Sequence, residues 1–204
     1  MKYDGTLNFK GEVTPLQKVL LARRSFRKYR AGAVEPEKLE LIRSASREFC
    51  EKMGFTAPRL KYVVEPALYK DVVKSSFSGF LGRTNPWLPI AKSPVMIIAA
   101  GDMGAAPTIG DRRIAMAQTA MAMEVAVLAA ADLGLATCWI AAINHRAIEK
   151  TLGLPQGQEV IAISPLGFPP EGISLLSWDG VTYHMISKRR KPMGEILFQE
   201  KMKQ

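Results

Sequence analysis

The stretch that most limits what this chain can become runs from Asp111 to Leu133, a long Ala- and Met-rich segment that is apolar on almost every side. A helix without a polar face has to be buried all round. In a chain of 204 residues, that burial points to a partner subunit as well as to the chain's own core. Asp111 can cap this helix and Gly134 can end it. The apolar region continues to Ile143, but Gln118, Glu124 and Asp132 interrupt it, so it does not read as a membrane span.

Around this helix the punctuation is regular. Apolar periodicity starts at Pro15 and stops before Arg23. Pro36 suits a first helical position, and Leu39, Ile42, Ala45, Phe49 and Met53 form the stripe of a helix that Gly54 closes. Leu60–Val64 reads as a strand. Val95–Ala100, an unbroken apolar run between Pro94 and Gly101, reads as a buried central strand. Thr137–Ala141 is a short strand, Asn144 caps a helix through Leu152 that Gly153 ends, and Glu159–Leu166 is a second buried strand. Residues 66–93 are rich in aromatics, Gly and Pro and are expected to be irregular, a lid-like stretch. Trp178-Asp179-Gly180 offers a tight turn. With no repeat or linker, residues 1–204 are expected to form one domain.

The formal charge of +9 is unevenly placed. Residues 1–30 carry eight Lys/Arg against two acids, residues 184–204 carry six against two, and the 153 residues between them hold 14 bases and 15 acids. An extended nucleic-acid stripe would need charge along whole helices, so no nucleic acid is expected; one compact phosphate site reached from both ends fits better. Cys50 and Cys138 make no disulfide framework, and with no apolar leader at the start a cytoplasmic location is expected. His145 and His184 share no metal-ligand spacing with the cysteines, so no metal is expected. No Gly-rich phosphate loop or nucleophile elbow stands at a strand–helix junction. With no catalytic residue singled out, a bound cofactor or a non-catalytic role is implied.

The basic segment Arg23-Arg24-Ser25-Phe26-Arg27-Lys28-Tyr29-Arg30 is the first positive signal, since Arg forks grip phosphate oxygens bidentately; the alternative is a solvated basic loop. Further along come Leu133-Gly134-Leu135-Ala136-Thr137-Cys138-Trp139-Ile140, Leu152-Gly153-Leu154-Pro155, and Pro165-Leu166-Gly167-Phe168-Pro169. Near the end stands Arg190-Lys191-Pro192-Met193-Gly194-Glu195. In this order the segments resemble the nitroreductase family of FMN-dependent oxidoreductases, covering both ends and the middle third of the chain.

The resemblance implies an α+β fold, with a mainly antiparallel central sheet flanked by helices and a long buried helix. It implies a homodimer that binds FMN, takes electrons from NAD(P)H and reduces a small-molecule acceptor such as a nitroaromatic or quinone in two half-reactions. By position, Arg23, Arg24 and Ser25 would contact the FMN phosphate and ribityl chain. Arg27 would stand near the ring edge where reduction places negative charge. Lys188 and Arg190 would close on the phosphate, and the turn Trp139-Ile140-Ala141 would pass the reactive edge of the ring. The family's Asn-x-Gln-Pro-Trp stretch is absent here, replaced by Phe55-Thr56-Ala57-Pro58-Arg59-Leu60, and Ala141-Ala142 stands where Gly-Gly is common. These departures place the chain in a divergent branch. They leave as alternatives a same-fold flavin enzyme with other chemistry (flavin fragmentation or reductive dehalogenation) and a non-catalytic flavin or nucleotide binder. Trp87, Cys138, Met116, Met121 and Met123 read as packing residues before ligands.

Overall fold

The computed structural model describes residues 14–78, 93–109 and 112–171. At its centre β2 (Val95–Asp102) pairs antiparallel with β1 (Pro58–Val63) on one side and β6 (Gln158–Gly167) on the other. The short β5 (Ala136–Thr137) pairs antiparallel with β6, so the strand order is β1-β2-β6-β5. The continuous apolar run of β2 follows from this central position, because both of its faces are covered. Met96, Ile98 and Ala100 pack on one side with α3 (Pro66–Ser76) and α5 (His145–Leu152). Val95, Ile97 and Ala99 pack on the other with α2 (Pro36–Met53) and α4 (Ile114–Asp132). The fold is the expected α+β arrangement of an antiparallel sheet between helices.

The helix boundaries are set by local chemistry. α1 (Pro15–Ala22) opens on a capping box in which Thr14 accepts from the Gln17 backbone and the Gln17 side chain accepts from Thr14. α2 begins at Pro36 and ends at Gly54, whose φ of +66° is the left-handed conformation that favours glycine. Its stripe differs from expectation: Leu39, Ile42 and Ser46 are buried, whereas Met53 is exposed. Ser46 occupies the buried position because its hydroxyl donates to the Ala122 carbonyl of α4 at 2.8 Å.

In the isolated chain, α4 buries one stripe of its surface. Ala115, Thr119, Ala122, Met123, Ala126, Val127 and Ala130 form that stripe, although the rest of the helix surface is largely apolar too. Met116 and Met121, off that stripe, are exposed in the isolated chain. The helix has the length and apolarity of a membrane span, but this stripe lies in the protein core. Small residues let it approach closely; a Cβ added to Gly101 of β2 would collide with the Thr119 hydroxyl. The expected cap Asp111 lies outside the described residues. The position before the helix is Arg113, which caps nothing and belongs with Arg112 (β4) to a two-residue ribbon with Thr108–Ile109 (β3).

Residues 66–76, expected to be irregular, form α3 instead. Pro66 takes the first helical position, the Glu65 carboxylate accepts from the Ala67 and Leu68 backbones at 2.8 and 2.6 Å, and Tyr69, Val72 and Ser76 turn inward. The remainder of the lid-like stretch from 79 to 92, including Trp87, lies outside the described residues, as do the turn at 178–180, His184, Lys188 and Arg190.

Candidate functional site

The basic segment does not loop free after α1. It runs in extended form along the β5–β6 end of the sheet. Ser25 bridges Thr137 in parallel sense, the Phe26 backbone N–H donates to the Thr137 carbonyl at 2.9 Å, and the Arg30 N–H donates to Phe168 at 3.0 Å. Tyr29 pins the middle by donating to the Phe26 carbonyl at 2.8 Å. The Arg30 guanidinium and the Lys38 ammonium stand 5.3 and 5.4 Å from the Phe168 ring centre. With its main chain fixed in this way, the segment leaves Arg24 and Ser25 exposed and Arg23 and Arg27 half-exposed.

The turn that follows β5 is held from the opposite direction. Cys138 is buried and its N–H donates to the Ser164 hydroxyl at 3.1 Å. Ile140 exchanges both backbone hydrogen bonds with Ile163, at 2.9 Å each, and its side chain is core. Trp139 is half-buried and its indole N–H donates to Glu124 at 2.7 Å. Ala141 is exposed, and its carbonyl accepts from the Ile143 N–H at 3.0 Å and lies 3.1 Å from His145 Nε2. His145 Nδ1 lies 2.7 Å from the Val160 carbonyl, so one imidazole ties the end of this turn to β6.

Glu124 joins the two halves. Besides accepting from Trp139, its carboxylate pairs with Arg23 Nε at 3.9 Å. Two sequence-predicted site residues, 116 positions apart, therefore meet on one side chain of α4. The sequence presents Glu124 only as an interruption of an apolar helix; a lone acid in such a helix has to face a cation or a donor, and that was the available signal. Arg23, Arg24, Ser25, Arg27, Trp139, Ile140 and Ala141 all lie on these two adjoining segments.

The donor set suits a flavin mononucleotide phosphate. Guanidiniums and an exposed hydroxyl sit on a stretch of backbone that is rigid through its bonds to β5 and β6. In the turn, Ile140's backbone and Trp139's ring nitrogen are already engaged, which leaves Ala141 as its outward-facing member. Among the described residues, no group of three His, Cys, Asp or Glu side chains stands close enough to hold a metal ion.

Comparison with known proteins agrees with this architecture. The model of the nitroreductase family matches residues 20–168. The structure of a nitroreductase family protein from Clostridium difficile 630 is 25% identical, with a TM-score of 0.66 over 96% of this chain and 99% of that one. One from Clostridium novyi NT is 28% identical, with a TM-score of 0.65 over 76% of this chain and 86% of that one. The fold is shared with an FMN-dependent nitroreductase from Clostridium difficile R20291, at 21% identity and a TM-score of 0.61 over 79% and 92% of the two chains. No protein of curated function matches.

Proposed function

The chain belongs to the nitroreductase family, and from that premise we propose that it is an FMN-dependent oxidoreductase using NAD(P)H to reduce nitroaromatic, quinone or other electrophilic aromatic compounds. The observation that carries the reading is the meeting of Arg23 and Trp139 on Glu124, beside an extended segment that presents Arg24, Ser25 and Arg27. A related fold carries the description of an FMN-dependent nitroreductase, which supports the choice of flavin.

When bound, FMN supplies the hydride and electron chemistry, which amino-acid side chains cannot provide. The chain's own residues bind and orient. Arg23, Arg24 and Ser25 would hold the phosphate, with Lys188 and Arg190 as the further cations that the family resemblance implies. Arg27 supplies a fixed positive charge favouring the reduced, more negative state of whatever ring edge it meets. Glu124 keeps Arg23 and the Trp139 turn in register, so that Ala141 lines the reacting side of the pocket. A homodimer would cover Met116 and Met121 of α4, a single domain would span residues 1–204, and a cytoplasmic location would suit the unpaired cysteines. The site-level test is FMN affinity: Arg23→Ala with Arg190→Ala weakens it far more than Lys201→Ala with Lys203→Ala. Equal effects would mean that general basicity, not a phosphate site, holds the flavin.

A further inference from the structure

The opposite edge of the sheet carries a second set of cations that this function does not use. A groove enclosing about 610 Å³, a volume suited to a small molecule, opens between α2 and β1. Arg43, Arg47 and Lys61 line it together with the apolar Phe55 and Leu60 and the ring of Tyr62. Three features show that it is unbalanced as it stands. The Tyr62 hydroxyl is buried and, among the described residues, has no hydrogen-bond partner. Arg43 and Arg47 share the single carboxylate of Glu40, at 3.8 and 3.6 Å, too far for a hydrogen bond to either. Lys61 adds a third cation to the lining, in which Glu51 is the one acid among the described residues.

The chemistry of the lining selects the ligand. Arg43 lies over the Tyr62 ring, 5.0 Å from its centre, which places a guanidinium over the aromatic wall. Burial pushes the Tyr62 hydroxyl's pKa up, so Tyr62 stays neutral and adds no negative charge beside the arginines. We propose that this groove is a second binding site, for a small planar aromatic carboxylate whose ring lies against Leu60, Phe55 and Tyr62 and whose carboxylate is taken by Arg43 and Arg47. It shares no residue with the Arg23–Trp139 site, so its ligand binds whether or not FMN is present.

Cys50 makes the groove measurable. Its thiol lines the groove and is half-buried, whereas Cys138, the chain's other cysteine, is buried in the core. Burial and the neighbouring Glu51 push the Cys50 pKa up, so labelling by a disulfide reagent is best followed at mildly alkaline pH. In the full-length protein, saturating 2-naphthoate should slow Cys50 labelling by about tenfold, with 2-naphthalenemethanol far less effective. Arg43→Gln with Arg47→Gln should abolish this protection, and Tyr62→Leu, which removes the aromatic wall, should raise the naphthoate concentration needed. Equilibrium dialysis of naphthoate gives the same ranking without the thiol. Adding FMN should leave every value unchanged. The proposal is overturned if the alcohol protects as well as the acid, if the variants bind naphthoate like the parent, if FMN displaces it, or if naphthoate does not bind. It is also overturned if labelling is slow only at high protein concentration, since a second copy then fills the groove.

Discussion

The two edges of the sheet carry similar side chains on differently built supports. At the β5–β6 end, Arg23 to Arg30 is fixed through its backbone: Phe26 and Arg30 bond to the strands, Tyr29 packs on the core, and Arg24, Ser25, Lys28 and Arg30 are exposed. At the β1 edge, Arg43 and Arg47 project from the regular helix α2, held by one shared carboxylate and, for Arg43, by the Tyr62 ring. A backbone held on both sides presents its donors in one geometry, which suits a phosphate of fixed shape. Long side chains held loosely keep their freedom and adapt to a ligand at an entropic cost. Residue type alone does not separate a cofactor cradle from an accommodating groove; the way the main chain is anchored does.

The contrast can be tested at one glycine on each side. Gly167, at the end of β6, has no room for a side chain: an added Cβ would lie 2.7 Å from Pro94 Cδ and 3.2 Å from Tyr29 Cδ1. Gly167→Ala should therefore push Tyr29 and the basic segment outward, destabilising the fold by about 1–3 kcal/mol and weakening FMN as well. Gly54→Ala, at the end of α2, meets no atom within 4 Å and costs only its left-handed backbone, about 1 kcal/mol, with FMN affinity unchanged. Thermal unfolding and FMN titration of both variants would break the contrast if their profiles coincided.

A smaller effect belongs to the carboxylate that ties the site together. Glu124→Ala leaves the half-buried Trp139 N–H without its acceptor and should cost about 1 kcal/mol in stability. Glu124→Gln still accepts from the indole but loses the charge facing Arg23, so it should recover most of that loss. Denaturant unfolding that ranks Gln no better than Ala would mean that Arg23, not Trp139, is the important partner.

The smallest effect is confined to the β1 side. The Glu65 carboxylate caps α3, and the backbone N–H groups of Leu68 and Ala67 hold its pKa below the ordinary value of 4.5. A carboxyl whose pKa is lowered by folding stabilises the folded state above its unfolded pKa, and that contribution is lost as pH falls through the folded one. Glu65→Gln should thus lower stability at neutral pH and flatten the decline below about pH 4.5, while FMN binding at neutral pH stays the same. An unaltered acid limb in the variant would show that the cap does not titrate with folding.

Much of the fold was legible because its signals are local. Pro36 and Gly54, Asn144 and Gly153, and the apolar run at Val95–Ala100 each mark an element through backbone chemistry or burial on both faces. α3 was missed because the Pro, Gly and aromatic residues after Ser76 dominate the composition of that stretch and mask the spacing of Tyr69, Val72 and Ser76. The stripe that α4 buries within its own chain was not legible for a related reason. Its composition is apolar nearly throughout, but which stripe faces the sheet is decided by tertiary packing, such as the Ser46 bond to Ala122 and the closeness of Thr119 to Gly101. For the site, the motifs named Arg23 and Trp139 separately. Their meeting on Glu124 depends on how α4 is rotated over the sheet, which no residue pattern in either segment encodes.

The most direct test of the central claim is the absorption spectrum of the FMN-reconstituted protein, followed anaerobically while NAD(P)H is added. A flavin oxidoreductase should retain the yellow chromophore through gel filtration, bleach on addition of the nicotinamide, and regain its colour when a quinone or nitroaromatic acceptor is supplied. A protein that retains no flavin, or one whose bound flavin stays oxidised in excess NADH and in excess NADPH, would contradict that account.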